Sequence, residues 1–341
     1  MSVDNIAAAF EALNRAVLVE SSSKAAAVSQ AKSALSRTQS RASVDPILGV
    51  EASRLKAIAQ AIDGEVDVVD IDVKVSSTEE HQGVTVVELH VTRSLSDGVA
   101  WEAIEPVAVV DQATGSLQPG QVYSLDWELI NEGQVPEDLT SLLNLEPAQA
   151  FQDTTALESE TVGGGSEDAE PATPPGSGGG GVTPMALPSS GKTKVKDYAL
   201  KYALSYNKDY IKYSADCTNF VSQAMLAGGW KEENYYLWND DRAWWYGGVP
   251  TNSHTWSGAE NWYKFARVHS KRTTHLAAVD STVVGDVVQF KDKGETNMTH
   301  SMVVTKKSGS TTYVSGHTPD VKNAPASSYN KSGRTWYPHR T

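Results

Sequence analysis

The run Tyr213-Ser214-Ala215-Asp216-Cys217-Thr218-Asn219-Phe220-Val221-Ser222-Gln223-Ala224 opens as a turn and continues as a helix. Asp216 suits the N-cap, and Phe220, Val221, Ala224 and Met225 follow at helical intervals. Gly228-Gly229 then stops the pattern. Cys217 therefore falls in the first helical turn. Unpaired backbone N–H groups and the helix dipole there favour a thiolate and offer an N–H to a developing oxyanion. Upstream, Val195 to Tyr206 reads as a second helix, with Tyr198, Tyr202 and Tyr206 on one face.

A thiolate needs a proton-handling partner. His300-Ser301-Met302-Val303-Val304-Thr305 is an alternating strand that begins with a histidine. Val284-Gly285-Asp286-Val287-Val288-Gln289-Phe290 precedes it as a turn and strand, and Thr312-Tyr313-Val314-Ser315-Gly316-His317 follows as a strand ending in another histidine. A helix-borne Cys, a strand-borne His and a strand-borne polar residue form the papain-like order of parts, with the base close in space though distant in sequence. His254, His269, His275 and His339 lack ligand spacing such as His-Glu-x-x-His and read as packing or surface residues. The Trp cluster between 230 and 262 either lines a groove or packs the core.

Asp216-Cys217-Thr218-Asn219-Phe220-Val221-Ser222-Gln223-Ala224, with Gly228-Gly229-Trp230, resembles the nucleophile segment of the putative amidase domain family, bacterial relatives of the NlpC-type cell-wall cysteine hydrolases in the papain-like superfamily. Trp244-Trp245, Ser253 to Ala259, Gly285 to Val288, His300 to Thr305 and His317-Thr318 agree in order, so the resemblance covers about 195–341. It implies Cys217 as nucleophile and His300 as general base and then acid. His317 matches the polar residue that orients the base, with Asp320 as its nearest competitor. The implied reaction is amide hydrolysis through a thioester, requiring no metal or organic cofactor. Peptidoglycan stem peptides are the implied substrate and partner.

Composition divides the chain. Of 341 residues, 29 are Lys or Arg and 42 Asp or Glu, giving a formal net charge of -13. Residues 1–190 hold 9 basic and 29 acidic side chains, whereas residues 191–341 hold 20 and 13. Seven of the 9 Trp lie in the second part. An acidic accessory region joined to a basic, aromatic-rich functional domain is expected. The single cysteine excludes an intramolecular disulfide framework and Cys-rich zinc modules. No apolar run reaches the roughly 18–20 residues of a membrane span, and no nucleic-acid partner is implied. The N-terminus lacks the pattern of a Sec signal, so either a leader lies outside this numbering, or export to the envelope or medium implied by the resemblance uses another route, or the protein stays inside.

The expected fold class is α+β. Residues 1–44 form an Ala/Ser-rich helical segment in which Ile6, Phe10, Leu13 and Val17 share a face, either packed loosely on the protein or presented to a partner. Residues 45–151 form a small acidic helix-plus-antiparallel-sheet domain, with Leu55, Ile58 and Ile62 on a helix and alternating strands at Val69–Val75, Val87–Val91 and Tyr123–Leu129. Residues 152–190 are a flexible linker; Gly163 to Gly181 holds eight Gly and three Pro. Residues 191–341 form the papain-like, NlpC-type domain, expected to reorient freely and to act alone. Gly191-Lys192-Thr193 lacks the first Gly of a P-loop, and Ser21 and Lys24 lack the companions of a Ser-x-x-Lys enzyme. Three other readings remain beside the hydrolase: a transamidase using the same thioester, an exported effector toxin whose secretion or immunity partner is unknown, and a binding or delivery module with an inert domain.

Overall fold

The computed structural model describes residues 3–21, 23–35, 45–81, 84–110, 122–124, 186–213, 215–235, 237–247 and 252–341. Three helices, α1 (Val3–Asn14), α2 (Lys24–Leu35) and α3 (Asp45–Ile62), precede strands β1 (Val68–His81), β2 (Val84–Leu95), β3 (Ala100–Val110) and β4 (Val122–Ser124). The second half contains helices α4 (Ser189–Tyr202), α5 (Cys217–Gly228), α6 (His254–Ser257) and α7 (Ala259–Tyr263). Its strands are β5 (Thr274–His275), β6 (Val287–Lys291), β7 (His300–Ser308), β8 (Thr311–Gly316), β9 (Asp320–Pro325) and β10 (Thr335–Arg340).

The strands form one antiparallel sheet in the order β1-β2-β3-β9-β8-β7-β6-β10-β5, with β4 on β3. Its central seam joins the two halves of the chain. Glu102, Ala103 and Ile104 of β3 pair with Lys322, Val321 and Asp320 of β9. Lys322 Nζ reaches Glu102 at 2.7 Å, and the Tyr313 hydroxyl donates to Asp97 at 2.7 Å.

Alternation in the strands assigns the two faces. On one face a single apolar cluster runs from Ile6, Phe10 and Ile58 through Leu89 and Val91 to Met302, Val304, Val314 and Phe290. The helical stripe Ile6, Phe10, Leu13 and Val17 is at most 3% exposed, so it is packed tightly on its own protein and presents nothing to a partner. On the other face α4 and α5 pack with Val287 and Val303 around Trp230, Trp244, Trp256 and Trp262. Most of the Trp cluster is therefore core, although Trp238 stands 56% exposed.

Free reorientation of two units is overturned. Paired strand edges and a continuous apolar cluster leave no solvated gap between them. Residues 152–185 of the expected linker lie outside the described residues, as does the expected strand beyond Ser124. Helix α4 starts at Ser189, ahead of the expected Val195, because its first turn is held by packing and charge where apolar periodicity is lacking. A Cβ on Gly191 would come within 2.7 Å of the Gly228 carbonyl, so α4 and α5 cross in near-backbone contact. Lys192 ion-pairs with the fully buried Asp286, which also accepts from the Val283 N–H at 2.8 Å. The Gly-Lys pair and the Gly-Asp turn are thus two halves of one structural clamp. At the other end of α5, Gly229 at φ 110° makes the left-handed cap.

The shared core predicts that residues 191–341 alone expose the Val288, Phe290, Met302 and Val304 face and fail to fold. Circular dichroism and thermal melting of that fragment check this. A cooperative transition matching that of the full chain would contradict it.

Candidate active site

Helix α5 is buried along nearly its whole length, from Cys217 through Met225. A buried helix must satisfy every polar side chain it carries. Asn219 accepts from the Trp256 indole at 2.7 Å and donates to the Ile211 carbonyl at 2.9 Å. Ser222 accepts from the Trp244 indole at 3.1 Å, and Gln223 from the Tyr198 hydroxyl at 2.6 Å. Thr218 meets Ser301 on β7 at 3.0 Å between hydroxyls. The polar letters of the motif are the fastenings of this helix.

Asp216 precedes the helix at the N-cap position, but its side chain does not cap. Its buried carboxylate accepts from the Tyr213 N–H at 2.9 Å and the Asn219 amide at 2.8 Å, and meets His317 Nδ1 at 2.6 Å. Its own N–H donates to Thr318 Oγ1 at 3.0 Å.

Cys217 is 5% exposed. Burial pushes its thiol up, and the Asp216 charge adds to that. The Thr218 hydroxyl and the backbone N–H groups of Ser301 and Thr218 pull the other way without prevailing. Desolvation outweighs the helix-start donors, opposite to the lowered thiol pKa expected from the helix start. A chain of hydrogen-bonded side chains reaches the sulfur. Gln289 Nε2 donates to the Ala259 carbonyl and to Ser301 Oγ, both at 2.9 Å. Ser301 Oγ meets Thr218 Oγ1 at 3.0 Å, and Thr218 Oγ1 lies 3.7 Å from Sγ, so either hydroxyl proton can be turned toward the sulfur.

His300 opens β7 at the end of the sheet where Cys217 sits. It is paired across from Phe290, and its ring lies 5.2 Å from the Phe290 ring and 6.2 Å from the stacked Tyr329 ring. Ser301, next in the strand, points to α5. The structure thus brings the start of β7, through Ser301, to the nucleophile candidate, with the His300 imidazole beside Phe290 and Tyr329.

His317 directly follows β8, beside Phe220 and Tyr206, with ring centroids 4.4 and 4.3 Å away. Its Nδ1 faces Asp216 and its Nε2 donates to the Tyr202 carbonyl at 2.8 Å. Both nitrogens are engaged away from His300, so the orienting role implied by the resemblance is not the one this geometry provides. Burial opposes the charged imidazole, but Asp216, Asp320 and the Tyr202 carbonyl together raise its pKa. Asp320, the competitor, accepts from the Tyr206 hydroxyl at 2.9 Å. Burial raises its pKa, against the pull of His317, Tyr206 and Lys212. His339 is fully buried near Trp262, and burial holds it neutral down to about 3, which fits a packing role. Among the described residues, no cluster of three or more His, Cys, Asp or Glu has the arrangement to hold a metal ion. No described helix is long and apolar enough to cross a membrane.

Residues 190–338 match the family model described as Putative amidase domain. This stretch is an amidase-like domain, and amide hydrolysis is the activity it points to. The chain is also similar to two proteins of Bacillus subtilis (strain 168), both described as uncharacterized. YhbB is 29% identical over 129 residues, 37% of this chain and 40% of the relative. YjcM is 31% identical over 139 residues, 38% of this chain and 31% of the relative. The match thus spans less than half the length of either relative. No solved structure matches the chain.

From sequence alone Asp216 reads only as a cap, and Thr218, Ser301, Gln289 and Thr318 stand inside the motifs with no role of their own. The signal was there in Thr218 and Ser301, small polar residues on otherwise apolar faces. The hydroxyl chain predicts that Thr218→Val, which keeps shape and removes the donor, slows iodoacetamide alkylation of Cys217 near neutral pH by roughly three- to tenfold, the worth of one hydrogen bond. Mass spectrometry of the single cysteine follows the rate. An unchanged rate would remove Thr218 from the account.

Proposed function

We propose that the protein is a cysteine-dependent amide hydrolase acting on peptide bonds of the bacterial cell wall. The observation that carries this reading is the placement of Cys217 at the first turn of a buried helix, against the start of β7, within an amidase-like domain. A helix-borne sulfur packed on an antiparallel sheet is also what supports a papain-like, NlpC-type relationship.

In this reading, His300 takes the Cys217 proton. The sulfur attacks the carbonyl carbon and forms a C–S bond, and the oxyanion is held by backbone N–H groups at the helix start. Collapse breaks the C–N bond, with the His300 proton passing to the leaving amine. Water, deprotonated by His300, then cleaves the thioester and returns the proton to sulfur. The raised thiol pKa makes this proton acceptor indispensable, since little thiolate is present without it. The basic surplus of residues 191–341 suits an anionic envelope polymer as substrate. Export from the cell, by whatever route, belongs to the same proposal.

The burial of Cys217 favours a second reading, in which an amine replaces water at the thioester step. Incubation of purified sacculi with the full chain, followed by mass spectrometry of released peptides, tests both. The proposal expects cleavage with addition of water, loss of all cleavage in Cys217→Ala, and a drop of roughly 10²–10⁴-fold in His300→Ala. Cross-linked products would favour amine transfer. Full cleavage by Cys217→Ala would overturn both.

A further inference from the structure

We propose that Asp216 and His317 form a charged clasp that positions Cys217, with His317 held as an imidazolium that donates from both nitrogens. The inference deepens the amide hydrolase reading, since it concerns the support of the same sulfur. Its argument is geometric. The Tyr202 carbonyl can only accept, so Nε2 of His317, 2.8 Å away, carries a proton. Asp216 accepts the Tyr213 N–H and the Asn219 amide on Oδ1, which leaves Oδ2 to face Nδ1 at 2.6 Å, and in the clasp Nδ1 donates to that oxygen.

The clasp joins the elements that must be in register for Cys217 to sit where it does. Tyr202 ends α4, Asp216 immediately precedes the sulfur-bearing residue, and His317 follows β8. Thr318 tightens the grip by accepting the Asp216 N–H at 3.0 Å. It does so with φ at 58°, a conformation that β-branched residues rarely adopt, so the chain bends sharply to place both partners on Asp216. The groups facing His317 from its surroundings are consistent with a cation. Asp216 lies on the α5 side, Tyr202 and Tyr206 on the α4 side, and Asp320 on β9, while Lys212 is positioned to act on Asp320. His317 and Asp216 are each at most 1% exposed, so removing either partner strands the other in a dry site. His317 is thus a positioning residue, and it acts on the nucleophile candidate through Asp216.

The test uses the full chain labelled with ¹⁵N-histidine. Long-range ¹H–¹⁵N spectra report both ring nitrogens, with the His317 signals assigned by their disappearance in His317→Gln. The clasp predicts that both nitrogens of His317 carry protons at pH 7 and that the ring titrates above the free value of about 6.5. In Asp216→Asn the titration falls, and alkylation of Cys217 by iodoacetamide quickens roughly tenfold as the helix start loosens and a negative neighbour is lost. A neutral ring with one protonated nitrogen in the wild-type chain overturns the proposal, whether or not the variant folds. So does a folded Asp216→Asn protein with titration and alkylation unchanged. These spectra need no substrate, so an inactive protein would sink the hydrolase reading and leave the clasp standing.

Discussion

Helix α5 has almost no face in water, and this governs the architecture around it. A helix in that position is stable only if each polar group it carries is matched by a partner held equally firmly. Two tryptophan indoles, a tyrosine hydroxyl, a serine on β7 and the carboxylate of Asp216 supply those partners. The result is a sulfur fixed in place and largely dry. Dryness raises the thiol pKa, and it strengthens every hydrogen bond and charge acting on the reacting atoms once a base has taken the proton. Rigidity of the support and the need for an external base are two consequences of one burial.

The acidic half of the chain belongs to the same body. Its strand β3 completes an edge that β9 would otherwise expose, and its helices lie over apolar side chains that the amidase-like half presents on the far face of the sheet. The His300 ring neighbours Phe290 of that cluster. Helix α3 packs against the turn at Ala326–Tyr329, and Tyr329 stacks on His300. The accessory half therefore touches the surroundings of the base candidate.

Much of the local structure was legible from side-chain pattern. Alternation placed β1, β2, β7 and β8, and the Asp216 and Gly228-Gly229 punctuation bounded α5 correctly, because periodicity and turn chemistry are local properties. What escaped the sequence was long-range. The β3–β9 pairing joins residues more than two hundred positions apart, and a Gly-rich connection says nothing about whether its ends are docked. The depressed thiolate expected at a helix start assumed solvent, and only packing reveals how little of it remains. His317 shows the same limit. Spacing placed it at the end of a strand near the cysteine, but which atoms its nitrogens engage depends on Tyr202 and Asp216, set by the crossing of α4 and α5.

The central claim is a covalent one, that an acyl group passes through the Cys217 sulfur. Intact-protein mass spectrometry of the full chain, quenched in acid during incubation with isolated stem peptides, observes that intermediate directly. The account predicts a mass increase equal to the acyl fragment, mapped to Cys217 and removed by hydroxylamine. Continued product release with Cys217 never modified, or with an adduct mapped to another residue, would contradict it.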